Sequence, residues 1–307
     1  MDAAPTTPPQ PPLTKGQTFL RRLVSSLVLW AVVIGSIFSG NAFLSNTVFL
    51  ILMLALAGLG LVEFYGLVEK RGLVCFKKWG VCGGLLLMAG TFLHCAGKLG
   101  IHDSPSRVND FETSFLILFV LGLCIRQFVS KANAAGLLAI STTLFGLMYV
   151  PWLLNFIQKI NYFPRLDGKG AYYVLYFILV TKFSDTGAYA VGSLIGRHKM
   201  IPRISPGKTW EGFAGALVVS TVASVLFAHL AGPRLPGMTL THAVILGLIL
   251  ATAAVVGDLI ESLFKREAGV KDSGGFFPGI GGILDLLDSL LFNAPLMYLY
   301  LRHVLTN

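Results

Sequence analysis

Charged side chains are scarce in this 307-residue sequence, at 13% of positions, about half the share of a soluble domain. Acids are scarcer still, with 15 Asp and Glu against 24 Lys and Arg and a formal net charge of +9. Cysteine is limited to Cys75, Cys82, Cys95 and Cys124, with no CxxC pair or Cys/His cluster. That excludes a disulfide framework and a zinc site, and the thiols read as small core residues. What is abundant is apolar: 54% of residues are hydrophobic and the mean hydropathy is +0.73. No water-soluble domain of this length buries so much apolar surface in one core. A soluble enzyme, a disordered chain and a secreted scaffold are excluded. An all-α fold is left, a polytopic integral membrane helical bundle. The basic excess then sets topology and meets anionic headgroups, and nucleic acid is not an expected partner.

Residues 1–20 are rich in Pro, Thr and Gln and form a disordered lead. Arg21 and Arg22 open an apolar run that resembles a signal peptide, but another long run follows directly, so an uncleaved first span is expected. Runs long enough to cross about 30 Å of hydrocarbon number about nine: 22–39, 46–68, 79–97, 114–130, 134–157, 171–195, 210–231, 240–264 and 283–303. With the N-terminus cytoplasmic, the C-terminus outside, and Arg22, Arg126 and Arg302 near span ends counted with the adjoining segments, sixteen Lys and Arg fall inside and seven outside, while Lys182 lies mid-span. This bias supports a multi-pass protein of the cell (inner) membrane in that orientation. Residues 21–170 form an N-terminal transmembrane region. Residues 171–307 form a C-terminal one, which carries two cytoplasmic loops, 196–209 and 265–282.

Eight of the 15 acids lie between positions 185 and 288: Asp185, Glu211, Asp258, Glu261, Glu267, Asp272, Asp285 and Asp288. A carboxylate at membrane depth costs roughly 2.5–3.5 kcal/mol unless it is paired or wet. Several together need a compensating gain, and a divalent cation supplies one. Asp285 and Asp288 share a helix face, as do Asp258 and Ser262 on the preceding helix. The hairpin joining the two helices sets Asp258 opposite the aspartate pair. Converging oxygen ligands suit Mg²⁺ or Mn²⁺ and not zinc. The bland alternative is helix-end carboxylates paired with Lys265, Arg266 and Lys271.

The loop at 265–282 holds six glycines, including Gly281 and Gly282. They allow backbone N–H groups at the start of the next helix to hold phosphate oxygens, with Lys265, Arg266 and Lys271 as countercharge. In the other loop, Ser205 is placed to cap a helix with Pro206 at its first position, and Lys208 makes this a second anion site. Gly207-Lys208-Thr209 imitates a P-loop ending, but Pro202 stands where that motif needs glycine. Asp185, mid-span near Lys182, either satisfies itself in an ion pair or lines a polar cavity. The GxxxG pairs Gly80/Gly84 and Gly192/Gly196 read as close helix packing. Glu63 either caps the site or meets the headgroups, and the second is expected.

The run Gly257-Asp258 to Arg266, then Lys271-Asp272-Ser273-Gly274, then Pro278 to Ser289 resembles the signature of phosphatidate cytidylyltransferases, also called CDP-diacylglycerol synthases. Ser184-Asp185-Thr-Gly-Ala-Tyr189 and Ser205-Pro-x-Lys208-Thr-Trp-Glu-Gly212 add further motifs, so the likeness covers about the C-terminal 40% of the chain. The resemblance implies a multi-span enzyme that makes CDP-diacylglycerol and pyrophosphate from CTP and phosphatidate. It also implies Mg²⁺ dependence, with a second cation left open, and a homodimer. Asp258, Asp285 and Asp288 would be the metal-site carboxylates, and Lys271 and Asp272 join them as catalytic residues. Ser205, Lys208, Ser262, Lys265, Arg266, Gly281, Gly282 and Asp185 would bind substrate. Two positions depart from the family pattern: Ile280 where His is usual, and Leu286 where Arg is usual. A related CTP-dependent polyprenol kinase, an ion-coupled transporter and an inactive homologue are the alternatives.

Overall fold

The computed structural model describes residues 34–35, 40–97, 105–130, 135–274 and 281–306. Nine helices and one small hairpin are placed there. Helix α1 (Ala42–Lys70) opens at Asn41, whose side chain accepts from the N–H groups of Phe43 and Leu44. Then come α2 (Lys77–Cys95), α3 (Pro105–Val129) and α4 (Gly136–Leu147). A π turn at Met148–Trp152 carries the chain into α5 (Leu153–Asn161). Pro151 sits in that turn, where its missing N–H interrupts the helical ladder. Helix α6 (Gly170–Ile195) leads to strands β1 (Lys199–Ile201) and β2 (Ser205–Thr209), and α7 (Trp210–Ala231), α8 (Leu240–Glu267) and α9 (Ile283–Tyr300) complete the order.

Eight of the nine expected spans coincide with these helices, α4 and α5 together making one. The first, 22–39, falls outside the described residues apart from 34–35. Six segments are long and apolar enough to cross a membrane by length and composition: α1, α3, α4 with α5, α7, α8 and α9. Helix α2, which starts on Lys77 and Lys78 and is rich in glycine, is not among them. Nor is α6, which carries Lys182 and Asp185. The expected count of nine is therefore not reached among the described residues. Large apolar side chains point outward, Phe128 at 89% exposure and Leu194 at 82%, as a surface facing acyl chains requires. Cys82 and Cys124 are on that outer surface too, so the expectation that all four thiols pack inside is corrected for these two.

Ser205 does not cap a helix. It lies in β2, paired with Ile201 across an antiparallel hairpin, while Lys199 pairs with Thr209. Thr209 is the cap instead, its Oγ1 accepting from Gly212 N at 3.1 Å. It directly precedes the apolar run, and strand pairing already satisfies the backbone before it. Glu211 fastens the other end of the hairpin, accepting from the N–H groups of Arg197 (3.1 Å) and His198 (3.2 Å).

The main core joins α1, α5, α6, α8 and α9, and a smaller one fills the space between α2, α3 and α4. Helices α6 and α7 meet through facing glycines. A β-carbon at Gly187 would stand 2.7 Å from the Gly215 carbonyl oxygen, and one at Gly212 would stand 2.9 Å from that of Ala188. The helix backbones therefore touch, as small residues allow in lipid.

A buried polar knot ties α2, α3 and α5, beside Tyr298 near the last turn of α9. Lys159 Nζ lies 2.6 Å from Glu112 Oε2, and both side chains are 5% exposed. Lys159 also reaches Asn109 Oδ1 at 3.1 Å. Glu112 further accepts from Trp152 Nε1 at 3.2 Å and from Asn155 Nδ2 and Thr91 Oγ1, both at 3.4 Å. The Lys159 ammonium lies over the Phe156 ring, 4.6 Å from its centroid.

Candidate active site

Gly257 explains how two acidic helices meet. A β-carbon there would sit 2.6 Å from the Asp288 carbonyl oxygen, so only glycine lets α8 lie directly on α9. The next residue, Asp258, then faces Asp288. Glu261 is one turn further along α8 on the same face. Carboxylate oxygens of Asp258, Glu261 and Asp288 all lie within 4.8 Å of one another. Glu261 is fully buried and Asp288 nearly so, whereas Asp258 is partly open.

Two lysines border this trio. Lys208, from β2, places Nζ 2.8 Å from Asp258 Oδ2 and donates to the Val255 carbonyl at 3.1 Å. Lys265 pairs with Glu261 and lies 2.6 Å from Asp285 Oδ1. Ser262 Oγ donates to Asp258 Oδ1 at 3.4 Å. Glu261 Oε1 is buried with no hydrogen-bond partner. Three carboxylates this close repel one another unless positive charge stands among them, and an orphaned buried oxygen asks for a ligand. The donor set is three hard oxygens without nitrogen or sulfur, which suits a hard divalent cation and not zinc.

Asp285, expected in this group, is one ion pair away from it. Its Oδ2 accepts from Gly282 N (2.7 Å), Ser273 N (3.2 Å) and Ser273 Oγ (2.9 Å), a self-capping arrangement at the start of α9. Glu261, which was not among the expected site residues, completes the close trio. Its signal was present in the sequence, since it stands three residues from Asp258, the same spacing as Asp285 and Asp288.

The expectation for Glu63 is also corrected. Its carboxylate does not meet headgroups but accepts from Ile283 N (3.0 Å) and Leu284 N (2.8 Å). With Gly282 N bound to Asp285, the first N–H groups of α9 are filled by the protein's own carboxylates and not left open for phosphate. Arg266 is committed as well, its Nε donating to the Ile204 carbonyl at 3.2 Å and tying the hairpin to α8. Lys271 and Asp272 are exposed just before Ser273. Ile280 lies outside the described residues, and Leu286 is buried.

Asp185 is held in an ion pair and also borders a cleft. Lys182 Nζ lies 3.3 Å from its Oδ2, and also 3.4 Å from the Leu286 carbonyl and 3.5 Å from Ser289 Oγ. Asp185 also lines a cleft of about 410 Å³ together with Ser205, Lys208 and Asp258. The cleft runs from the hairpin and the α6–α7 seam to the exposed edge of the trio.

Carboxylates grouped between lysines at the end of a helical hairpin, inside an otherwise apolar bundle, invite comparison with known proteins. The model of the cytidylyltransferase family matches residues 22–304. The chain belongs to that family. Among curated members, it is 30% identical over 285 residues to the phosphatidate cytidylyltransferase of Haemophilus influenzae, covering 90% of this chain and 96% of that one. It is 42% identical over 154 residues to the phosphatidate cytidylyltransferase of Mycobacterium leprae, covering 50% of this chain and 47% of that one. It is 37% identical over 161 residues to the uncharacterized protein YnbB of Escherichia coli K12, covering 52% of this chain and 51% of that one. The chain thus spans about half the length of the last two relatives and nearly all of the first. The matched region includes every element that builds the trio.

Proposed function

We propose that this membrane protein transfers the cytidylyl group of CTP to phosphatidate, giving CDP-diacylglycerol and pyrophosphate. The observation that carries the reading is the carboxylate trio Asp258, Glu261 and Asp288, set between Lys208 and Lys265. A phosphate oxygen of phosphatidate forms a bond to the α-phosphorus of CTP while the bond to the β-phosphate bridging oxygen breaks. The nucleophile is already an anion, so no residue need act as a strong base. The barrier is the approach of two anions.

Asp258, Glu261 and Asp288 would hold Mg²⁺, with a second cation as the finer possibility, and such a cation supplies charge neutralisation and alignment. Lys208, held by Asp258 and the Val255 carbonyl, presents its ammonium to the cleft where a polyphosphate would lie. Exposed Lys271 is placed to reach a phosphate entering from the loop side. Lys265 offsets the charge of Glu261 and Asp285 and fixes the spacing of α8 and α9. Phosphatidate keeps its tails among the outward-facing apolar side chains while its headgroup meets CTP at the loop face. That face is cytoplasmic in the orientation the basic residues favour, with the N-terminus inside, the C-terminus outside, the cell (inner) membrane as location and a homodimer as assembly.

The test is incubation of the purified protein with phosphatidate, Mg²⁺ and CTP labelled on either the α- or the γ-phosphate. Lipid labelled from the α position, abolished by EDTA, is the expected result. Label from the γ position would establish a lipid kinase instead, and ion flux in liposomes without CTP would establish a transporter.

A further inference from the structure

Glu63 is the one acid of the first described helix that reaches the candidate active site, and the cytidylyl-transfer reading gives it no part. Its carboxylate makes no ion pair with a described residue. Its partners are the N–H groups of Ile283 and Leu284 and the hydroxyl of Ser273, whose Oγ lies 3.1 Å from Glu63 Oε2 and shares its one proton between that oxygen and Asp285 Oδ2. An anion at the start of a helix is held by unsatisfied N–H groups and by the helix dipole. Here one carboxylate, 220 residues upstream of Ile283, fixes where α9 begins.

The glycines around it are shaped to it. Gly282 has ordinary extended backbone angles, φ −79° and ψ 171°, so conformation alone does not require glycine there. Space does: a β-carbon at Gly282 would run into Glu63 Oε2 and Ser273 Oγ, and one at Gly274 would run into the Glu63 carboxylate. Two signature glycines therefore make room for a side chain from the opposite half of the chain. Ser273 then passes the constraint on, because its Oγ and N–H both lie against Asp285 Oδ2, and Asp285 Oδ1 holds Lys265, which pairs with Glu261.

We infer that Glu63 is a positioning residue for the reaction. By clamping Ser273 and the first turn of α9 together, it sets the spacing of the trio and the approach of Lys271. This inference rests on the cytidylyl-transfer reading. A displacement of about 1 Å at distant positioning groups can cost on the order of a hundredfold in rate. The clamp acts on reacting geometry and not on substrate contacts, so its loss falls on kcat rather than KM.

The experiment compares Glu63→Ala, Glu63→Gln, Ser273→Ala and the Glu63→Ala/Ser273→Ala pair. It reads kcat and both KM values with CTP and phosphatidate, and amide hydrogen exchange at Ile283 and Leu284. The expected result is a kcat loss of about thirtyfold or more for Glu63→Ala, with KM values changed less than about threefold. Glu63→Gln keeps the shape and one acceptor and falls in between. The paired variant loses no more than Glu63→Ala alone, since both act on one clamp. Exchange at the two amides rises in Glu63→Ala. Wild-type kcat in Glu63→Ala, a loss confined to KM, or independent losses that multiply in the paired variant each overturn the inference. If the wild-type protein transfers no α-label, the reaction assignment fails by itself. The exchange arm then decides: protection that depends on Glu63 upholds the clamp, and unprotected amides in the wild type remove it.

Discussion

Replacing Lys159 by methionine isolates the knot that ties α2, α3 and α5. Methionine keeps the length of the stem and removes the ammonium, so Glu112 loses its 2.6 Å partner while staying buried. Breaking a buried ion pair by deleting one member costs about 3–5 kcal/mol. Glu112 retains Trp152 Nε1 at 3.2 Å and two longer contacts at 3.4 Å, so the lower end, about 3 kcal/mol, is expected. At about 2–4 °C per kcal/mol for a chain of this size class, the apparent unfolding midpoint in detergent falls by roughly 6–12 °C. Because such unfolding is often irreversible, wild type and variant must be heated at one scan rate. The double variant Lys159→Met/Glu112→Leu removes the stranded charge and recovers most of the loss. A Lys159→Met midpoint within about 1 °C of wild type would refute the claim that this pair is desolvated and structural.

The remaining expectations concern the candidate active site. Asp288→Asn and Glu261→Gln each lower turnover by about a hundredfold or more while the protein still inserts and elutes as a folded species; near-normal turnover in either removes that residue from the trio. Gly257→Val drives a side chain against the Asp288 carbonyl, so it separates α8 from α9, destabilises by about 1–3 kcal/mol and weakens Mg²⁺ dependence of activity, measured as a rightward shift of the Mg²⁺ titration. EDTA abolishes label transfer and added Mg²⁺ restores it, and full activity in chelator would contradict a divalent cation at the trio.

The helices were legible because a membrane span is a local property. A run of some twenty apolar residues fixes its presence but not its ends: α3 begins at Pro105, ahead of the expected 114, and α7 begins at Trp210 and not at Pro206. Asp258 and Asp288 were legible for a related reason, since a lone acid in an apolar run stands out. What local pattern cannot encode is the partner. The groups that meet Glu63 are some 210–220 residues away, so nothing near position 63 distinguishes a clamp from a carboxylate at the headgroups. The same limit hid the choice between Glu261 and Asp285, which share spacing and chemistry; only the position of Lys265 between them separates their roles. The hairpin escaped because Ser-Pro-Gly reads equally well as a helix start, and the strand ladder that decides otherwise is non-local.

The glycine seam between α6 and α7 has a mechanical corollary. With carbonyl oxygens standing under 3 Å from where a methyl group would be at Gly187 and Gly212, neither helix can slide or roll without backbone striking backbone. The two behave as a single rigid wall on one side of the cleft. A lipid substrate of the proposed reaction would find no opening where Gly187 and Gly212 pack, and would enter through another flank of the bundle.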